Sequence, residues 1–456
     1  MKFLLVRPNI NKKIITVKNI MFGEPLGIEC VSTILKEQGH EVLVADFMAE
    51  SKRNFKRYLQ EFKPDVVGFT SQCSDVNNIL IMAAKVKALN NDITVLIGGV
   101  QATITPEAYF NEHIDYVFKA TTRENITLLV EQIENQTRTE IMGVYSKILD
   151  YKSTLQGCTN EYVKADRSST GKYRHQYKYV GYQPCAILQT SYGCRNHCSF
   201  CVRWRLEGGK LVEIPIEQIV DEIESLEECN VMICDNDFLI NEERLSTFLD
   251  LLEARNIKKT YICYGSVASI LEKEYLFERL SKNGLKAVIV GYESFNDELL
   301  QKWNKKATTD DNDRATRVLK KSGIACWGSF IIHPDFTKAD FRQMYHYYKE
   351  LKPELLTFSP LVPHPLTPLY NEYEERLIYK KEDYEKWNFG DVVIAPREMS
   401  LRKYYFEMFK LGIMTNLNLF TLNYLFRTFS FKNTMKLTFG ANKTIYIYFK
   451  YMMIGR

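Results

Sequence analysis

Short apolar runs alternate with stretches of helical periodicity through the first third of the chain. KFLLVRPN, HEVLVADF, PDVVGFTS, ITVLIGG and HIDYVFKAT read as strands, because each is a brief run rich in branched and aromatic residues. Between them GIECVSTILKEQG, ILIMAAKVKAL and ENITLLVEQIEN carry apolar residues at helical spacing. Strands that alternate with helices build a parallel sheet covered on both faces, so residues 1–145 are expected to form a doubly wound α/β domain. Ligands of such sheets sit beyond the carboxyl ends of the strands, which here are Pro25–Gly27, Ser71–Asp75 and Gly98–Thr103. Residues 146–185 interrupt the alternation, and the turn-rich KADRSSTGKYRHQYK marks them as a linker.

Alternation resumes at 186, where AILQTS reads as a strand. Helical and strand-like segments then follow in turn: IEQIVDEIESLEEC, VMICDNDF, ERLSTFLDLLEARN, KTYICYGS, EYLFERLSKNG, KAVIVGYES, TRVLKKSG, ACWGSFIIHP, FRQMYHYYKEL and LLTFSPLVPHPL. These make six βα units over 186–375, short of a closed eight-stranded barrel. Pro363, Pro365 and Pro368 end the regular pattern. Residues 376–456 form a helical, basic and aromatic region; from 401 onward it holds nine Lys or Arg and one acid, Glu407.

Composition narrows the class without naming it. The chain has 456 residues, 45% hydrophobic and 25% charged, which is ordinary for a globular protein of several domains. A net charge of +4 is too small to argue for a nucleic-acid partner, and none is expected. No apolar stretch is long enough to span a bilayer, and MKFLLVRPN reads as a first strand rather than an export leader. Eight of the eleven cysteines (Cys30, Cys73, Cys158, Cys185, Cys229, Cys234, Cys263, Cys326) have no framework spacing, which points to reduced thiols in a cytoplasmic protein.

The other three cysteines carry the chemistry. Cys194, Cys198 and Cys201 stand in TSYGCRNHCSFC as C-x3-C-x2-C, on a loop after a predicted strand. Three thiolates on one loop can ligate three irons of a [4Fe–4S] cluster and leave the fourth iron open to a substrate. The alternative is a structural zinc site completed by His197, although no second cysteine knuckle is present. Polar residues end the later strands and face a common mouth: Asp235, Asn236 and Asp237; Ser266 and Ser269; Glu293 and Ser294; His333. Helix capping and turn formation explain such residues equally well.

The cysteine loop and the βα units behind it resemble the radical S-adenosylmethionine (SAM) superfamily over roughly residues 186–370. The resemblance implies that SAM binds the open iron and is cleaved reductively to a 5′-deoxyadenosyl radical. It also implies SAM contacts from Phe200, Asp235, Asp237, Ser266, Glu293, Ser294 and His333, with Glu293 of VGYES the residue that holds it. EPLGIECVSTILKEQGHEV, PDVVGFTSQCSDVNN and IGGVQATITPE resemble the Rossmann-like cobalamin-binding domain that precedes many radical SAM barrels. The residues so placed are Pro25, Leu26, Ser71, Gln72, Cys73, Gly98, Gly99, Gln101, Ala102 and Thr103. No Asp-x-His-x-x-Gly run supplies a histidine for cobalt. Ala120, Thr121, Thr122 and Arg123 replace the Gly-Glu-Gly-Glu of the wider family, which puts that contact in doubt.

NIMFGEPL, DNDFLINEERL, NKKATTDDNDRATRVLKKSGI, HPDFTKADFRQM and YEKWNFGDVVIAPREMS resemble the hopanoid C-3 methylases and their relatives. That similarity implies methylation of an unactivated carbon, by way of methylcobalamin and a substrate radical, on a small molecule or a polycyclic or isoprenoid lipid. Other expectations within the resemblance are a cobalamin-bound rearrangement or cyclisation without methyl transfer, or a non-catalytic cobalamin carrier. An electron donor such as flavodoxin or ferredoxin would be a partner. The C-terminal region would either cap the barrel or lie on an anionic membrane surface.

Overall fold

The computed structural model describes residues 1–11, 14, 18–147 and 161–454. Residues 148–160 of the expected linker, with Cys158, and the terminal Arg456 lie outside them. The first sheet contains β1 (Lys2–Arg7), β2 (Glu41–Asp46), β3 (Val66–Thr70), β4 (Thr94–Gly98), β5 (Tyr116–Phe118) and β6 (Val144–Ser146). Their order is β2-β1-β3-β4-β5-β6; the first five are parallel and β6 is an antiparallel edge.

Five helices accompany these strands: α1 (Leu26–Glu37), α2 (Asn54–Glu61), α3 (Val76–Leu89), the short α4 (Val100–Ile104) and α5 (Arg123–Asn135). Because side chains alternate along a strand, Phe3 and Leu5 of β1 pack under α1 and α5, while Leu4 and Val6 pack under α2 and α3. This is the doubly wound domain read from the pattern. The pattern did not reveal α2, whose eight residues include only three buried ones, or β6, which is three residues long.

The second sheet contains β7 (Cys185–Leu188), β8 (Asn230–Ile233), β9 (Thr260–Gly265), β10 (Leu285–Glu293), β11 (Ala325–Ile332) and β12 (Leu355–Pro360), all parallel and in chain order. This is a six-stranded partial barrel. Ala186, Val231, Cys263 and Val288 turn outward to helices α6 (Ile216–Ser225), α7 (Glu242–Ala254), α8 (Val267–Glu272), α9 (Phe277–Lys282), α10 (Thr309–Lys321) and α11 (Lys338–Leu351). Cys185, Met232, Ile262, Ala287 and Trp327 turn to the opposite face. The chain ends in helices α12 (Leu401–Asn416), α13 (Leu419–Thr428) and α14 (Phe431–Ile454), and on that face the strands meet Leu425 of α13, Leu437 of α14 and Phe429 between the two. The ten described cysteines are all free thiols.

The described part of the expected linker is packed rather than loose. A 3-10 helix, Arg167–Gln176, lies between the two sheets. Arg174 pairs with Glu24 and Glu228, and Arg167 with Glu24 and Glu222; all five side chains are buried or nearly so. Glu24 also accepts the Ile187 N–H of β7 at 2.5 Å, so one carboxylate ties the first domain to the barrel's first strand. Composition suggested a solvated connection because it does not show the acids, distant in sequence, that these arginines meet.

Candidate active site

The cysteine loop is held from several sides before any cofactor is considered. Gly193 opens it at φ +79°, and a Cβ there would lie 1.8 Å from the Lys210 carbonyl oxygen, so glycine is required. Glu207 Oε2 accepts the Gly193 N–H at 2.6 Å and Asn236 Nδ2 at 2.7 Å, and Asn236 Nδ2 also donates to Gly193 O at 2.8 Å. Ser199 N donates to Trp303 O at 3.1 Å, and Trp204 Nε1 donates to Cys198 O at 3.2 Å. Burial pushes the Cys198 thiol up to about 11 and raises Cys194 and Cys201 as well, while Lys305 pulls Cys198 and Cys194 back down. Asn196 N donates to Cys194 Sγ at 3.3 Å.

Glu293 stands at the end of β10 with φ +66°, where a β-bulge shifts the register against β11 between Gly291 and Glu293. A non-glycine residue in this sparsely populated region is held there by its surroundings. Its Oε1 lies 3.4 Å from Lys305 Nζ, both side chains being only 13% exposed. A Cβ on Gly291 would come within 2.2 Å of Glu293 Oε1 and 3.2 Å of Lys305 Nζ, so the glycine makes room for the pair. Burial raises the Glu293 carboxyl. Burial pulls Lys305 down, but Glu293 and Cys198 outweigh it, and the ammonium stays charged. Lys305 was not singled out from the sequence; its only signal was a basic pair in NKKATT.

The other strand-end residues divide. Asp237 Oδ2 accepts Ser269 Oγ at 2.7 Å, while its Oδ1 is buried without a partner and faces the electrostatic neighbourhood of Cys194 and Lys305. Ser266 caps α8 through the Ser269 N–H at 3.1 Å and donates to Ser269 Oγ at 3.0 Å. Phe200 packs edge-on against Trp303, ring centres 5.5 Å apart. Three expected SAM contacts are otherwise engaged. Asp235 accepts Thr190 N and Thr190 Oγ1 at 2.6 Å and Ser191 Oγ at 2.7 Å, so it anchors the strand end that launches the loop. Ser294 Oγ accepts Asn296 N at 3.0 Å. His333 Nδ1 accepts Asp335 N at 3.2 Å and its Nε2 bonds Tyr373 OH at 3.0 Å. A strand end places a residue near the mouth without choosing which way its side chain turns.

In the first domain an apolar slot of about 220 Å³ opens between the sheet and helices α1 and α5. Gly27, Gly68, Gly98, Gly99, Thr70 and Thr121 line it together with the apolar Leu5, Phe118 and Leu129. Gly99, at φ +95°, would bring a Cβ within 2.7 Å of Ser71 N. Thr121 belongs to the stretch that departs from the wider family, and it still forms the slot's rim. Thr122 and Asn125 cap α5 reciprocally.

The remaining candidates there are mostly structural. Ser71 Oγ donates to Gly98 O at 2.8 Å and accepts Ala102 N at 3.1 Å. Gln101 Nε2 donates to Thr105 Oγ1 at 2.6 Å, Ala102 is in the core, and Thr103 Oγ1 donates to Gly99 O at 3.3 Å. Pro25 O accepts the first N–H groups of α1, and Leu26 is half-buried beside it. Gln72 is exposed, and Cys73 Sγ donates to Trp387 O at 3.2 Å, its thiol pushed up to about 11 by burial.

These donor sets can be tested against the cofactors the resemblance implies. Three thiols on one loop suit an iron–sulfur cluster better than zinc. His197, the ligand zinc would need, turns its Nε2–H to Gly209 O at 3.3 Å and stacks on Trp204 at 4.5 Å. The glycine-edged slot suits the nucleotide tail of a corrinoid, since its walls are apolar and its rim lets a ligand approach backbone.

A partial barrel with three thiols after its first strand, behind a doubly wound domain with a glycine-edged slot, defines a cobalamin-type iron–sulfur enzyme class. Family comparison agrees: the Radical SAM superfamily matches residues 188–348 and the B12 binding domain matches residues 13–129. The chain thus carries a radical SAM domain and a B12-binding domain. It is 25% identical over 418 residues to the hopanoid C-3 methylase of Methylococcus capsulatus, covering 90% of this chain and 79% of that protein. It is 24% identical over 393 residues to the anaerobic magnesium-protoporphyrin IX monomethyl ester cyclase of Rubrivivax gelatinosus, covering 82% and 70%. Its fold is that of the radical SAM methyltransferase TsrM from Kitasatospora setae, solved with cobalamin and a [4Fe–4S] cluster bound: TM-score 0.72, 18% identity, coverage 98% and 99%.

Proposed function

We propose that the protein is a cobalamin-dependent C-methyltransferase acting on an unactivated carbon, with a polycyclic or isoprenoid lipid as its substrate class. One observation carries this reading: a single apolar cluster joins the two strand-end sites. Leu361, Val362, Trp387 and Val393 pack with Trp303, with Phe200 of the cysteine loop and with Cys73 of the first domain. This packed apolar core keeps water from the region between the two strand-end sites. The relative named as a hopanoid methylase supports the lipid class.

In this reading Cys194, Cys198 and Cys201 hold the cluster; Glu293, Lys305 and Asp237 hold SAM; the slot between α1 and α5 holds the cobalamin tail. When bound, the cluster with SAM supplies a hydrogen-abstracting radical and cobalamin supplies a methyl group. The chain's own work is positioning. Asp235 fixes the launch of the cysteine loop through Thr190 and Ser191. Asp237, whose Oδ1 is buried without a partner, would have an acceptor to offer the bound ligand. Lys305 keeps a positive charge beside Cys198 and Glu293. A small flavodoxin- or ferredoxin-type donor supplies electrons.

Anaerobic reconstitution tests this. About four irons and one cobalt per chain are expected. With SAM, a reductant and a polycyclic lipid, both 5′-deoxyadenosine and S-adenosylhomocysteine should accumulate. The cyclase relative supports a second reading, cyclisation or rearrangement without methyl transfer, and 5′-deoxyadenosine without S-adenosylhomocysteine would select it. Retained cobalt with neither product would leave only a cobalamin carrier.

A further inference from the structure

We infer that the outer face of the C-terminal helices is a docking surface for anionic lipid bilayers. The helix α14 has 24 residues and no acid. At about 100° per residue, Phe431, Met435, Phe439, Tyr446, Phe449 and Met453 fall on one arc of about 80°. That arc faces solvent: Phe431 is 71% exposed, Phe439 74% and Tyr446 63%. Lys432, Lys436, Lys443 and Lys450 follow along one flank of the arc, all exposed. The opposite side, with Leu437, Ile445 and Tyr448, is buried against the barrel and α12.

Neighbouring helices widen the stripe. The helix α12 runs antiparallel to α14, as the Tyr405–Tyr451 and Phe409–Phe449 ring contacts at 5.1 and 5.6 Å show. It adds the exposed Phe406, Ile413 and Leu417. From α13, Leu419 is 86% exposed, and Phe426 stacks on Phe431 at 5.9 Å. Lys178 lies near Lys436 and Lys18 near Lys443, so the positive flank extends beyond the helix. Single exposed apolar side chains are unremarkable, but a contiguous aromatic band beside a lysine row marks an interaction surface.

The occupant follows from the chemistry. Among the described residues no helix is long and apolar enough to cross a membrane, so α14 would lie along the interface rather than span it. Lysines flanking aromatic side chains match phosphate headgroups above acyl chains. A second copy is a poor partner, because α14 offers no acid to meet the lysines of its twin. This inference goes beyond the proposed chemistry and holds whichever carbon is methylated.

Vesicle co-sedimentation of the full chain tests it. Vesicles of phosphatidylcholine with phosphatidylglycerol should pellet the protein, pure phosphatidylcholine should not, and binding should weaken with salt. Each lysine neutralised should lower partitioning about fivefold, so Lys432→Gln, Lys436→Gln and Lys443→Gln together should lower it about a hundredfold. Phe439→Ser should weaken binding with an unchanged melting temperature, because that ring is already in solvent. Equal pelleting with both vesicle types, or wild-type binding by the triple variant, would overturn the inference. So would a dimer in sedimentation velocity that Phe439→Asp dissociates, with no vesicle binding.

Discussion

Glu293 and Lys305 form a buried ion pair on a strained turn, and each explains the other. Glu293 has left-handed backbone at the end of β10, and Lys305 neutralises its carboxylate there. Replacing Lys305 with Met keeps the apolar stem but strands the carboxylate. Lys305→Met should therefore lose roughly 3 kcal/mol in denaturant unfolding and retain less SAM; an unchanged midpoint and unchanged SAM binding would remove the pair from the site. His364 makes a different point. It is 8% exposed with an unpartnered Nε2, and burial pushes its pKa down to about 4. The unfolded chain takes up this proton near pH 6.5, the folded one only near 4. Between those values the unfolded state binds more protons, so stability rises with pH and is lost on acidification, by up to roughly 3 kcal/mol. Unfolding midpoints measured across that window should flatten in His364→Leu, although burial of His333 in the same direction will leave a residual slope. An identical pH profile would show that another group governs acid stability.

Elements place these residues by their ends. The strand β4 stops at Gly98, and Gly99 turns the chain into α4 within contact of Ser71 at the end of β3. A methyl at Gly99 must displace that backbone and narrow the slot. Gly99→Ala is expected to cost on the order of 1–3 kcal/mol and to lower cobalt per chain several-fold while leaving iron content unchanged. Full cobalt retention would mean that the corrinoid tail lies elsewhere. Several strand ends were visible in the sequence because their apolar runs close on Gly, Ser or Glu, as at Ser71, Gly98 and Glu293. The direction of each side chain was not. Asp235 turns back to Thr190, whereas Asp237, two residues on, keeps an oxygen free. Both stand in one DND run beyond the end of β8, where strand alternation no longer dictates which way a side chain turns.

The two halves are joined by buried charge. Arg174 meets Glu24 from the first domain and Glu228 from the barrel, and removing it would strip the buried Glu228 of its cation and leave Glu24 with Arg167 alone. Arg174→Met is therefore expected to destabilise by about 3–5 kcal/mol and to split thermal unfolding into two transitions by calorimetry. A single transition at the wild-type temperature would show that apolar contacts alone couple the domains. What the sequence by itself determined was local: the alternation that makes both sheets, and the spacing of Cys194, Cys198 and Cys201 on one loop. Periodicity and short-range spacing are properties of neighbouring residues, and they survive without knowledge of the rest of the chain. Only the tertiary structure brought Lys305 beside Cys198, Glu24 onto Arg174, and Cys73 against Trp387. Those pairings join residues about a hundred or more positions apart. Their partners are chosen by how the sheets, the packed connection and the C-terminal helices close on one another, which no local pattern encodes.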